Sequence, residues 1–158
     1  CGDGVTKPAP AGSTSEPESA DHDKITISDC RTRRTMSQYF QIGQRVLWNP
    51  ATGVAQVFLR AAESFATLTD LPSGLGPMQA DECEIDIEVF STFVDALIRR
   101  YARSNHVILR SLMEGFTATA IVLVNRGGGR LPALETPNDP AITALTDLSR
   151  HHDRAMVT

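Results

Sequence analysis

Cys83 and His106 are the combination in this sequence that comes nearest to a nucleophile and its base. A cysteine becomes nucleophilic near neutral pH only when a neighbouring base or cation stabilises its thiolate. The sequence offers no oxyanion donor that can be named, and no third residue that would orient the base. We therefore interpret Cys83 as an inert buried thiol and His106 as a half-exposed residue beside a helix cap.

Carboxylates are concentrated at positions 81–88, in the order Asp81, Glu82, Glu84, Asp86 and Glu88. Several carboxylates within so few residues are typical of a site for a hard cation or for a basic protein partner. The spacing is not that of a calcium-binding loop, and a solvated turn before a helix N-terminus explains the cluster more simply. We keep Asp81, Glu82, Glu84 and Asp86 as candidate binding residues and predict no metal site.

Trp48, the single tryptophan of the chain, stands directly before Asn49 and Pro50. An indole at the corner between a strand and a helix usually anchors the core. Tryptophan is also enriched at protein interfaces, so Trp48 joins the acidic residues and His106 as a candidate binding residue.

The standard catalytic and nucleotide-binding motifs are missing from the sequence. None of GxxxxGK[ST], GxGxxG, HExxH, GxSxG or CxxC is present. Three cysteines at wide spacing fit neither a disulfide framework nor a zinc motif, which indicates a reducing compartment. We predict no catalytic residue and no cofactor, and the sequence leans away from an enzyme.

The length and net charge of the chain exclude further classes of function. A chain of 158 residues corresponds to one domain, and a formal net charge of -4 provides no basic surface for nucleic acid. The longest unbroken apolar stretch, Ala120 to Val124, is far shorter than the roughly 20 residues that cross a bilayer. We therefore expect an acidic cytoplasmic protein without a transmembrane segment.

The elements that position these residues follow from the apolar pattern. Alternation on both sides of Gly43 and Gln44 predicts a β-hairpin that ends at Trp48. Asn49 and Pro50 then form a helix-start signature. Apolar residues at steps of three and four predict a first helix ending near Asp70, with its buried stripe formed by Val54, Val57, Phe58, Ala61, Ala62, Phe65 and Leu68.

Two further helices are predicted after a long loop over residues 71–86. The second helix begins near Asp86, and its buried stripe is Val89, Phe90, Phe93, Val94, Leu97, Ile98 and Tyr101. The third begins after Ser104-Asn105-His106, is stopped by Gly127-Gly128-Gly129, and buries Leu109, Leu112, Met113, Phe116, Ala120 and Leu123. One continuous helix over residues 87–126 is the alternative; we favour two because it would far exceed the usual length.

The two ends of the chain differ from this helical region. Residues 1–35 are rich in Pro, Gly, Ser and Thr, and we predict a disordered tail. Cys1 followed by such a tail resembles the tether of a lipid-anchored surface protein, although Met36 is an alternative natural start and the one we favour. Residues 128–158 are predicted to be a linker and a short C-terminal helix beginning near Asn138-Asp139-Pro140.

Several short segments together resemble a known family: Met36-Ser37-Gln38-Tyr39-Phe40, Leu47-Trp48-Asn49-Pro50, Gly53-Val54, Leu71-Pro72-Ser73-Gly74-Leu75-Gly76-Pro77-Met78 and Glu114-Gly115-Phe116. The family is an actinobacterial group of small hypothetical proteins classed as a domain of unknown function. The resemblance covers about Met36 to Gly127. It implies no activity and no catalytic residue.

The sequence thus predicts a mainly α fold, a small bundle of about three helices preceded by a short β-hairpin, with the domain over residues 36–127. The function we expect is a non-enzymatic interaction module that binds a protein partner or a second copy of itself. Two alternatives stay open: a small enzyme or metal-dependent binder that uses the 72–86 loop and His106, and a surface-tethered lipoprotein.

Overall fold

A computed structural model of the chain describes residues 37–135 and 139–158. The predicted disordered tail, with Cys1 and Met36, lies outside the described residues. The elements follow in the order β1 Tyr39–Ile42, β2 Arg45–Trp48, α1 Thr52–Thr69, β3 Glu82–Glu84, α2 Ile87–Arg103, α3 Val107–Gly127, a 3-10 turn Pro132–Glu135, and α4 Pro140–Ala155. The prediction of a mainly helical fold with a short hairpin is confirmed.

The hairpin forms as predicted, because Gly43 adopts the positive φ of 58° that its turn needs. The sheet also contains a strand that the sequence did not predict. β3 pairs in parallel with β1, with Tyr39 opposite Glu82 and Gln41 opposite Glu84, and the strand order is β2-β1-β3. The assignment of residues 71–86 to a loop was therefore wrong for residues 82–84, which form β3. β3 has three residues and buries only Cys83, too short a pattern to show alternation.

α1 begins two residues later than the Asn49-Pro50 signature indicated. Its N-cap is Ala51, which makes no side-chain capping bond. The backbone around residues 49 and 50 is occupied by strand-like pairing instead: Gln38 N donates to Pro50 O at 3.0 Å, and Asn49 N donates to Val157 O at 2.9 Å. The helix consequently starts only after this pairing ends.

α2 and α3 are two separate helices, as predicted. Asp86 caps α2 by accepting hydrogen bonds from Glu88 N and Val89 N. His106 caps α3 through its ring, whose Nδ1 accepts a hydrogen bond from Leu109 N at 3.2 Å. Both caps satisfy amides that an isolated helix end leaves unpaired. The two helices form an antiparallel hairpin.

The C-terminal helix, α4, contributes to the hydrophobic core. α4 is capped by Asp139, has Pro140 in its first turn, and buries Ile142 and Leu145 against the rest of the core. It packs mainly on α3. α3 is therefore the central helix, in contact with α1, α2 and α4.

α3 is long and apolar enough by length and composition to cross a membrane, with a mean hydropathy of 1.7 over its best window. Half of that window is buried inside the protein. Such burial is expected of the central helix of a folded core, which meets the same compositional test.

Candidate binding groove

An apolar groove of about 790 Å³ lies between the start of α1, the middle of α3 and the C-terminal end of the chain. We call this surface the α1–α3 groove. Its lining consists of Trp48, Asn49, Pro50, Ala51, Gly53, Val54, Val57, Phe58, Ala61, Leu112, Gly115, Phe116, Thr119, His152, Ala155, Met156 and Val157. Concave apolar surfaces with a few polar groups are where proteins bind ligands and partner segments.

Large apolar side chains around the groove are open to solvent. Val54 is 52% exposed, Val57 72% and Leu112 68%. The sequence pattern assigned all three to buried stripes, and that assignment was wrong. Periodicity identifies the apolar face of a helix, but the neighbouring elements cover only part of that face on α1 and α3. Exposed apolar side chains that cluster, rather than lie singly, indicate an interaction surface.

The floor of the groove is made of packed aromatic rings. Phe58 lies against Phe116 with ring centroids 4.8 Å apart, and Trp48 contacts the edge of Phe58 at 5.4 Å. Trp48 is only 7% exposed. The sequence-predicted candidate Trp48 is therefore a core anchor that also forms part of the groove lining.

Two helical glycines, Gly53 and Gly115, also line the groove. A Cβ atom built on either residue would meet nothing within 4 Å, and neither residue has a positive φ. Packing within the described part of the chain therefore does not require glycine at these positions. Their effect is to leave the backbone of α1 and α3 bare at the groove surface.

One polar contact stands on the groove wall, where α4 meets α3. His152 Nδ1 and Thr119 Oγ1 lie 3.0 Å apart, and Thr119 Oγ1 is also 3.0 Å from Gly115 O. Burial lowers the pKa of His152, and the neighbouring His151 lowers it further. His152 is therefore neutral at pH 7 and can share a hydrogen bond with the threonine.

The C-terminal wall of the groove is held in place by Arg126. Its guanidinium donates to Leu47 O at 2.8 Å, to Asp153 O at 2.9 Å and to Met156 O at 3.0 Å. It also forms an ion pair with the Asp153 carboxylate at 2.8 Å. One side chain thus ties strand β2, helix α3 and the last residues of the chain together. Sequence reasoning missed Arg126, because its acceptors are far apart along the chain.

A family of unknown function, DUF6086, matches residues 36–158. The chain belongs to the DUF6086 family. No curated protein and no solved structure matches. The family match reaches past Gly127 to the end of the chain, so the DUF6086 domain includes α4 and the C-terminal wall of the groove.

The four candidate acidic residues of the DUF6086 domain take part in contacts of the sheet and of the α2 cap. The carboxylates of Glu82 and Glu84 accept hydrogen bonds from Gln41 Nε2 and Gly43 N on the neighbouring β1 edge and turn. Asp86 is occupied as the α2 cap, and Asp81 accepts from Tyr39 through its backbone oxygen at 2.8 Å. Among residues 37–135 and 139–158, no group of three or more His, Cys, Asp or Glu side chains is placed to hold a metal ion.

Cys83 and His106 are kept apart by the length of α2. Cys83 is fully buried, its thiol donates to Gly76 O at 3.3 Å, and burial together with Glu84 raises its pKa to about 11. His106 is exposed rather than half-exposed, and its ring is used as the α3 cap. α2, whose 17 residues make it about 25 Å long, lies between the two residues in the chain. The 72–86 loop and His106, which the enzyme alternative combines, therefore stand at opposite ends of α2.

Proposed function

We propose that this DUF6086 chain is a non-enzymatic helical interaction module that binds an apolar helical segment of a protein in the α1–α3 groove. The observation that carries the proposal is the clustering of Val54, Val57 and Leu112, all more than half exposed, above an aromatic floor. Leaving such side chains in water costs roughly 1.5 to 3 kcal/mol each compared with full burial. A partner that covers them recovers much of this free energy.

A helix is the occupant that fits the shape of the groove. Two helices form its long walls, and a third helix can lie between them with apolar anchors at positions i, i+3 or i+4, and i+7. Gly53 and Gly115 allow its backbone to approach closely. The packed rings of Trp48, Phe58 and Phe116 give the groove a preformed floor, which lowers the entropic cost of binding.

Support for the non-enzymatic part comes from the chemistry of the groove and of the thiol. The ionisable group among the described groove-lining residues is His152, which is already paired with Thr119. The Cys83 thiol is buried away from the groove, and its raised pKa keeps it protonated near neutral pH.

A display library of helical peptides tests the proposal. Peptides are selected on the full chain after counter-selection on the Val57→Glu/Leu112→Glu double variant, and binding of labelled winners is measured by fluorescence anisotropy. Peptides with apolar anchors at helical spacing are expected to bind the wild type and to lose at least about tenfold in affinity on either single variant.

Val107→Glu is the matched control for this experiment. Val107 and Val57 are both 72% exposed, but Val107 does not line the groove. Peptide binding is expected to stay within about twofold of the wild type in this variant. Selection that yields no groove-dependent peptide, or peptides equally sensitive to Val107→Glu, would contradict the proposed function.

A further inference from the structure

We infer that the natural occupant of the α1–α3 groove is a second copy of this chain, which docks its α1 helix so that two copies form a symmetric dimer. The inference rests on the proposed function and names the partner of the same site. It is carried by three features of α1 and its surroundings: the spacing of its exposed anchors, the two glycines, and the absence of charge in the groove.

α1 presents the anchor pattern that a helix-binding groove accepts. Val54, Val57 and Ala61 stand at positions i, i+3 and i+7 of the helix, and all three also line the groove. The same surface is therefore both the ridge that inserts and part of the wall that receives it. A two-fold interface requires this property. When residue i of one copy contacts residue j of the other, residue j of the first copy also contacts residue i of the second, so both residues belong to one surface.

The glycines point to a close approach of another backbone. Glycine inside a helix destabilises it relative to alanine, and nothing in the described part of the chain fills the space where a Cβ would stand at Gly53 or Gly115. A helix lying across the groove would fill that space. A helix of the second copy accounts for these two groove-lining glycines, for which residues 37–135 and 139–158 supply no packing reason.

The charge of the surface permits two identical acidic chains to meet. The whole chain carries a net charge of -4, yet no Asp, Glu, Lys or Arg is among the 17 residues that line the groove. The adjacent exposed face of α1 carries Arg60 and Glu63, which neutralise each other at 3.1 Å. Like-charge repulsion is therefore small here, in contrast to the acidic segment at 81–88.

The extent of the surface suits a dimer of modest size. A standard interface uses about 20 to 30 residues on each side. The 17 groove-lining residues and three more on the adjacent outer face of α1, Gln56, Arg60 and Ser64, make 20, the lower end of that range.

Sedimentation velocity on the full chain over a concentration series tests the inference. The wild type is expected to move from the monomer to twice the chain mass as concentration rises. Val57→Glu is expected to raise the dimer dissociation constant at least about tenfold, and Val107→Glu to leave it within about twofold. Glutamate is a better helix former than valine, so neither variant weakens its helix. Circular dichroism melting verifies that both remain folded.

A second variant separates docking from stability. Gly115→Ala is expected to raise the melting temperature of the monomer while it raises the dimer dissociation constant, because the added methyl occupies the approach space. A dimer that is equally sensitive to Val57→Glu and Val107→Glu, or insensitive to both, overturns the α1–α3 contact.

The outcomes also distinguish this inference from the proposed function. A wild-type chain that stays monomeric at every concentration, yet binds selected helical peptides in the groove, overturns self-association and leaves the interaction module standing. A chain that neither dimerises nor binds such peptides overturns both.

Discussion

α2 and α1 carry apolar stripes that look alike in sequence but have different fates in the fold. On α2 the stripe from Phe90 to Tyr101 is buried throughout, because the helix has neighbours on several sides. On α1 the same kind of stripe buries Ala55, Phe58 and Ala62, while Val54 and Val57 remain exposed. An apolar stripe therefore supports stability only where another element covers it. Where no element of the described residues covers it, as at Val54 and Val57, the stripe stays exposed to solvent.

Matched leucine substitutions give the largest expected effect and test this comparison directly. Leu97 on α2 is fully buried, whereas Leu112 on α3 is 68% exposed. Leu97→Ala is expected to lower the free energy of unfolding by about 2 to 5 kcal/mol, because it leaves a cavity. Leu112→Ala is expected to change it by less than about 0.5 kcal/mol. Urea unfolding at a concentration where the chain is monomeric measures both. Equal losses would show that the groove surface is part of the core.

The Arg126 clamp is expected to have the next largest effect. Arg126→Ala removes a charged donor from three backbone oxygens, and we expect a loss of about 2 to 3 kcal/mol with faster amide exchange at Asn49. Arg150→Ala removes only the pair with Asp147, whose side chains are 70% and 65% exposed, and should cost less than about 0.5 kcal/mol. Similar losses in the two variants would argue against the clamp.

Glycine substitutions sharpen the comparison between a covered and an uncovered helix surface. Gly115→Ala is expected to raise the free energy of unfolding by about 0.5 to 1 kcal/mol, because the methyl meets open space within a helix. Gly74→Ala should lower it by more than about 1 kcal/mol, since Gly74 has a φ of +74° and its Cβ would stand 2.5 Å from Phe90 N. Thermal unfolding of both variants measures the difference. Destabilisation by Gly115→Ala would mean that the groove is closed in the monomer.

The smallest expected effect concerns pH and His152. Its folded pKa lies below the value of the unfolded chain, so the unfolded state binds more protons as pH falls. The contribution of His152 to stability is present above pH 6.5 and is lost as the pH falls through the lowered pKa. The difference between the unfolding free energy at pH 7.5 and that at a pH below this range should be smaller in His152→Gln than in the wild type. His151→Gln should retain most of the dependence, because burial is the larger cause of the shift.

Features that depend on neighbouring residues in the chain were predicted well, whereas features that depend on contacts between distant residues were missed. The starts of α2 near Asp86 and of α3 after Ser104-Asn105-His106 were predicted correctly, because a helix start depends on the few residues around it. The hairpin turn at Gly43 is equally local. β3 could not be recognised, since its three residues become a strand only by pairing with β1, which lies about 40 residues earlier.

The groove was beyond sequence reasoning for a similar reason. The types of Val54, Val57 and Leu112 indicate an apolar face, but whether another element covers that face depends on how α1, α3 and α4 pack. The candidate residues were therefore drawn from charge and rarity, and of these only Trp48 lies in the groove lining. Gly53 and Gly115 were a sequence signal for the groove. A glycine within a helical pattern usually has a packing or functional reason.

The parallel pairing of β1 with β3 has a consequence for how the chain folds. β1 is the middle strand of the sheet. Its pairing with β2 joins residues that are close in the chain, whereas its pairing with β3 brings Tyr39 together with the distant Glu82. Closing that long loop carries an entropic cost that a local turn does not, and it slows folding. Until it closes, the backbone amides of β1 offer an open edge to other chains. During synthesis, the nascent chain is exposed to mispairing at this edge until residues 82–84 have emerged from the ribosome.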